Sequence, residues 1–210
     1  NTVVIITDPA AVTTTYEPVP ALTQDEISAA LDAINAQVPE ELAIDVETTG
    51  IFDTAQVAET APEALRSDYA AFLEEHEHDF RASHRLTNAA CDLENIPFMA
   101  ISYTLDRFAT TEAATAALED GFLGELAEAD GFTASTVESL GYPLYTKTTT
   151  ACDSEATQAM TMWQRGHFVA TIGVMIPADH PAPAERWLQE FVAASNYEYL
   201  LSSVLRPEIR

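Results

Sequence analysis

The chain has 210 residues, enough for one domain with a true core, and 47% of them are apolar with only seven glycines, which separates it from disordered sequences. Nine basic residues stand against 34 acidic ones, a formal net charge of -25, and Lys147 is the only lysine. Such a balance repels phosphate backbones and anionic lipid surfaces, so nucleic acid is excluded as a partner; no apolar run of about eighteen residues is present to cross a bilayer as a helix.

Residues 1–22 open on the β-branched run Val3-Val4-Ile5-Ile6 and continue rich in Thr and Pro through Pro18 and Pro20. This reads as an edge strand and an extended N-terminal tether ahead of a single α+β domain over 23–210. The chain starts at Asn1 without methionine, as a processed export product or a trimmed chain does; a lipid anchor would then belong upstream of Asn1.

Thr23-Gln24-Asp25-Glu26 is a capping box, in which hydroxyl and carboxylate satisfy each other's backbone donors, and it predicts a helix with Ile27, Leu31, Ile34 and Val38 on its buried stripe. Leu42 to Phe52 alternates as a strand. Pro62 opens a second helix with Leu65, Tyr69, Phe72 and His76 on one face. Strands are expected over 78–87 and 96–106. Thr110 then caps a helix carrying Ala114, Leu118, Phe122 and Leu126, and Gly131 ends it.

From 132 to 176 the pattern is all β. Met160, Met162 and Gln164 alternate with Thr161 and Trp163, Arg165-Gly166 turns a hairpin, and Phe168, Ala170, Ile172, Val174 and Ile176 form an apolar face. Pro181 and Pro183 precede a closing helix with Leu188, Val192 and Tyr199. The predicted class is an antiparallel β-sheet covered by helices mainly on one face. Ala90-Cys91-Asp92-Leu93-Glu94 and Ala151-Cys152-Asp153-Ser154-Glu155 share an Ala-Cys-Asp-x-Glu pattern, each between two predicted strands, which suggests two related helix-strand-strand halves.

Two cysteines in a chain of extracytoplasmic character most simply form one disulfide, Cys91 to Cys152; the alternative is a pair of buried thiols in a cytosolic protein. The bridge would gather Asp92, Glu94, Asp153 and Glu155 into an acidic loop cluster able to offer calcium its oxygen ligands. No Asp-x-Asp-x-Asp-Gly spacing supports that role, and solvated loop carboxylates are the simpler reading.

The run from Phe72 to Arg85 holds three of the five histidines. His76 continues the helical stripe. On strand periodicity His78, Phe80, Ala82, His84 and Leu86 share one face, with Asp79, Arg81, Ser83 and Arg85 on the other. At about 3.3 Å per residue His78 and His84 lie about 20 Å apart, so they cannot share an ion. What survives is a metal site at the helix-to-strand junction from His76 and His78 with a carboxylate such as Glu75 or Asp79. Arg81 and Arg85 are expected to pair with carboxylates on adjacent strands.

The sequence has no Gly-x-Ser-x-Gly elbow, phosphate loop, Gly-x-Gly-x-x-Gly fingerprint or His-Glu-x-x-His. No cofactor and no catalytic residue is implied, and enzymatic activity is unsupported. Tyr103, Tyr142, Tyr145 and Trp163 are candidates for a ligand pocket, although such aromatics more often fill a core.

The second half, with the turn Gln164-Arg165-Gly166-His167, the strand Phe168-Val169-Ala170-Thr171-Ile172 and a closing amphipathic helix, resembles uncharacterised bacterial secreted and lipoprotein domains. Their helix-covered antiparallel sheet is broadly similar to PsbP-like or lipoprotein-sensor domains. The resemblance covers residues 63–205 in layout and transfers no functional residue. One cysteine pair departs from the two-disulfide arrangement of kinase sensor domains. The resemblance implies an extracytoplasmic accessory or binding role toward a protein partner or small ligand, as a lipoprotein or as a peripheral subunit of a membrane-associated complex. Metal binding through His76 and His78 or the acidic loops is the alternative, and a hydrolase without a recognisable motif is the third.

Overall fold

The computed structural model describes residues 22–36, 38, 40–136 and 142–197, with the side chains of the last helix described through Glu190. The expected N-terminal strand and most of the tether lie outside these residues, as do the side chain of Val192 and all of Tyr199.

The first helix, α1 (Gln24–Asn35), begins at the predicted capping box: the Thr23 hydroxyl accepts from the Glu26 N–H, and the Glu26 carboxylate accepts from the Thr23 N–H at 2.8 Å. It buries Ile27 and Leu31 and ends before Val38, one turn short of the expected stripe. The strand read over 42–52 divides into β1 (Ala43–Ile44) and β2 (Gly50–Asp53), and both pair with β3 (His78–Thr87). The turn between them stays on Arg85: the Asp45 N–H donates to its carbonyl at 3.0 Å, and the Thr49 hydroxyl accepts from its N–H at 2.9 Å.

An unanticipated helix, α2 (Thr54–Ala58), follows directly, capped reciprocally by Asp53 and Gln56. A short 3₁₀ turn (Glu63–Leu65) leads into α3 (Arg66–Glu75), whose C-cap is His76. β4 (Ala100–Phe108) begins later than expected, because 96–99 belongs to the preceding loop. The helix predicted from Thr110 is two helices, α4 (Thr111–Glu119) and α5 (Phe122–Ala129). Gly121, at φ 95°, takes a left-handed conformation that a β-carbon resists and so turns the chain between them. Beyond α5, Phe132 N–H bonds Ala127 C=O and Gly131 N–H bonds Glu128 C=O, a Schellman pattern that explains the predicted stop at Gly131.

Four strands complete the sheet: β5 (Thr133–Thr136), β6 (Pro143–Ala151), β7 (Ser154–Arg165) and β8 (Phe168–Pro177), followed by α6 (Ala184–Tyr197). All pairings are antiparallel, in the order β1/β2-β3-β4-β8-β7-β6-β5, so the last long strand inserts between the two halves of the chain. The α+β antiparallel class is the expected one. Its helices divide between the two faces. On the first, α1 and α6 cover Phe80, Ile101, Leu105, Ile172, Val174 and Ile176. On the second, α2, α3 and α4 pack their apolar side chains around Phe108 and Val169, while Ala127 of α5 packs with Phe132, Tyr145 and Met162.

The disulfide forms between Cys91, in the loop from β3 to β4, and Cys152, in the two-residue turn from β6 to β7, with Cα atoms 5.5 Å apart. β8 lies between those strand pairs, so the bridge fastens the two halves at one end of the sheet. Cys152 and Asp153 both have positive φ, 50° and 56°, the backbone of a type I′ hairpin built without glycine.

Candidate functional site

The second face of the sheet is incompletely covered. Between the α2–α3 connection on one side and α5 on the other, a cleft of about 700 Å³ opens onto the strands. Its floor is polar, with Thr104 of β4 and Thr171 of β8 directly paired in register and Gln158 of β7 beyond them. One wall carries Glu59, Glu63 and Arg66; the opposite side is apolar, from Leu123, Leu126 and Phe132 in the wall with Met160 and Met162 of β7 beneath them.

Deep in this cleft Arg81 meets Asp106. Its Nε donates to Oδ1 at 2.8 Å and Nη2 to Oδ2 at 3.0 Å, a bidentate pair, and Nη2 also donates to the Tyr69 hydroxyl at 2.8 Å. His78 reaches the same carboxylate, with Nε2 at 3.1 Å from Oδ1. Burial alone would raise the Asp106 pKa, but the Arg81 charge and the hydrogen bonds from His78 and Arg81 hold it below the ordinary carboxylate value. Tyr69 moves the other way: burial, abetted by the Asp106 charge and opposed by Arg81, pushes its hydroxyl up to about 12.

Simple alternation places His78 and Arg81 on opposite faces, and the structure overturns that expectation. The β3–β4 register shifts between His78 and Phe80, so Asp79 and Phe80 together oppose Arg107, and this bulge turns His78 to the Arg81 side. Thr54 sits in the bulge, its Oγ1 at 3.0 Å from His78 Nδ1, 3.1 Å from His78 O and 3.3 Å from Asp79 O. Thr54, His78 and Asp106 thus follow one another as hydroxyl, imidazole and carboxylate. The hydroxyl sits among two backbone carbonyls and the His78 ring nitrogen and lies outside the cleft lining, so the arrangement closes the bulge and presents no free nucleophile to the cleft.

The residues named for a metal site have separate partners. His76 Nε2 lies 3.8 Å from Asp120 Oδ2 and its ring packs on Phe72; His78 is committed to Asp106; Asp79 pairs with Arg107. His84, on the first face, bonds Asn35 Oδ1 at 3.0 Å. Among the described residues no group of three or more His, Cys, Asp or Glu is disposed to hold a metal ion.

In the cysteine loops, Asp92 accepts from the Asn95 side chain and backbone, while Glu94, Asp153 and Glu155 face solvent. Buried Asn88 organises the first loop, donating to Asp92 O and accepting from Asp92 N. Arg81 pairs across strands as expected, with Asp106, whereas Arg85 lies 3.6 Å from Asp45, just beyond the end of β1.

The four aromatics named for a pocket do not share one. Tyr103 and Trp163 are buried under α1 and α6, with Tyr142 packed on Trp163, whereas Tyr145 lies on the other face against α5. None of them lines the cleft. Its walls come from residues 59–66 and 123–132, two loop-and-helix segments that sequence periodicity treats as unrelated.

No protein-family model matches the chain. No curated protein matches it either. Among solved structures it is similar to the extracellular domain of PknH from Mycobacterium tuberculosis, at 7% identity over 86% of this chain and 100% of that one, with a TM-score of 0.38. A likeness at that score carries no argument for site or function.

Proposed function

We propose that this protein is a non-enzymatic binding module that works outside the cytoplasm and takes its ligand in the cleft above Thr104, Thr171 and Gln158. The observation that carries the reading is the cleft itself: about 700 Å³ of concave space whose charged groups, Glu63 apart, are already paired. That volume lies within the range of small-molecule sites, and a site whose polar groups are fixed beforehand loses little order on binding. The Cys91–Cys152 disulfide supports an oxidising compartment.

Amide chemical-shift mapping against a mixed library of acidic, basic and neutral fragments tests the reading. Perturbations are expected to gather on Thr104, Gln158 and Thr171 and to vanish in Met162→Trp, which fills the apolar side. Perturbations that gather instead over α1 and α6 overturn it.

A further inference from the structure

Taking the cleft as the binding site, and so resting on that reading, we infer that its ligand is an uncharged amphiphile: a small molecule with an alkyl portion and a hydroxylated head.

Charge is the first line of argument. Six charged side chains line the cleft, four acidic and two basic. Arg66 pairs with Glu59 at 3.3 Å, Arg81 with Asp106, and Asp130 with Lys147 at 2.6 Å, which brings in the chain's single lysine from β6. Three of nine basic residues are therefore spent neutralising one cleft in a chain of net charge -25. Of the four carboxylates only Glu63 stands outside an ion pair among the described residues. A site for a cation in so acidic a protein would keep its carboxylates free. A site for an anion would have to draw Arg81 away from buried Asp106 and leave that carboxylate unpaired, which is costly, or take Arg66 from its exposed pair with Glu59 and free a second carboxylate beside Glu63. The cleft thus offers an anion no spare cation and a cation only Glu63, and a neutral ligand meets neither penalty.

Polarity is the second. Leu123, Leu126, Phe132, Met160 and Met162 make one continuous apolar side, and methionine's unbranched, polarisable chain adapts to a flexible alkyl group. Thr104, Thr171 and Gln158 supply hydroxyls and an amide, groups that each donate and accept, as the hydroxyls of a ligand head do. An alkyl tail on the α5 side with its head on the strand floor satisfies both surfaces at once.

Calorimetric titration with decyl glucoside, decanoate and decyltrimethylammonium, all below their micelle-forming concentrations, holds the tail constant and varies only the head. Ionic strength near 0.15 M (a Debye length of about 8 Å) screens the general attraction of an acidic chain for the cation. The glucoside is expected to bind once per chain and about tenfold more tightly than either charged probe. Met160→Glu is expected to weaken it by about tenfold or more, since it sets a carboxylate in the tail's wall. Ala129→Glu, at an exposed position on the cleft's lip, provides the same test if Met160→Glu does not fold.

A charged probe that binds as tightly as the glucoside and is lost in these variants overturns the ligand class while leaving the cleft as the site. Glucoside binding indifferent to both variants, or no binding by any of the three probes, also overturns the inference. The fragment map then decides separately whether the cleft is the site.

Discussion

His78 and Asp106 meet across β3 and β4, Nε2 to Oδ1 at 3.1 Å, only because a bulge at Asp79 rotates His78 onto the face where Arg81 already holds the same carboxylate. Asp106 is 6% exposed and stands between one guanidinium and one imidazole. Its removal leaves Arg81 largely buried without a counter-charge. Asp106→Ala is expected to lower unfolding free energy by about 3–5 kcal/mol, the range for breaking a buried pair from one side. The double variant Arg81→Met/Asp106→Leu is expected to recover most of that loss, since no unpaired charge remains. Urea unfolding with the disulfide intact measures both; a double variant no more stable than Asp106→Ala would refute the assignment.

The same cluster predicts how stability changes with pH at both extremes. Asp106 has a folded pKa below its ordinary 3.8, so its contribution is present above that value and is lost as pH falls through the lower folded one. Tyr69 is raised from 10 to about 12, so its contribution is complete below pH 10 and is lost as pH rises through 12. His84, buried on the first face, has a lowered pKa; stability falls as pH drops below 6.5 toward that folded value. Phenolate absorbance during alkaline titration should show a component ionising near pH 12 that is absent in Tyr69→Phe, while Tyr145, which burial and Glu128 also push upward, still ionises late in that variant. Acid unfolding of an Asp106→Asn variant should lose the steep segment below pH 3.8.

How much of this was legible in the sequence depended on whether the signal was local. Thr23 with Glu26, the alternation through β8 and Gly131 after α5 each act within a few residues, and each element falls where those residues place it. Asp53 and Gln56 form an equally local capping box, and Asp120-Gly121 an equally local break, but a longer periodic pattern runs across each and masks it. The bulge at Asp79 was not readable, because its cause lies in pairing with Arg107 and in a hydroxyl from Thr54, 25 residues away. The cleft was hidden for a related reason. Thr104, Thr171 and Gln158 read as the solvent side of strands, and only the distant walls make that surface concave.

The disulfide closes a separation of 61 residues, for which chain entropy gives about 4 kcal/mol. Cys91→Ser/Cys152→Ser is expected to lose up to about that amount, less whatever strain the left-handed backbone at both cysteines releases, φ 52° and 50°. The location of the loosening is the sharper expectation. Amides of the 88–99 loop should exchange faster, whereas those of β8 at Phe168–Ala170, at the far end of the sheet, should change only by the global amount. Uniform acceleration across the sheet would show that the bridge acts on the unfolded chain alone.

Asp153 occupies the second position of the β6–β7 turn with φ 56°, where a β-carbon is disfavoured and glycine is the usual resident. Asp153→Gly relieves that conformation at a cost in unfolded-chain entropy, for a net gain of about 0.5–1 kcal/mol. It also removes one negative charge from a strongly acidic chain, so the gain needs a control that separates backbone from charge. Asp153→Ala removes the same charge and keeps the β-carbon, without the short polar side chain that makes Asp and Asn tolerable in this region. The backbone account therefore orders the variants Gly, then Asn, then Asp, then Ala by urea midpoint, while relief of charge repulsion alone would set Gly, Asn and Ala equal and all above Asp. Cys152 has the same backbone requirement at the preceding position, yet Cys152→Gly should be destabilising, because the few tenths to one kcal/mol gained at φ 50° is outweighed by the roughly 4 kcal/mol of the bridge it removes.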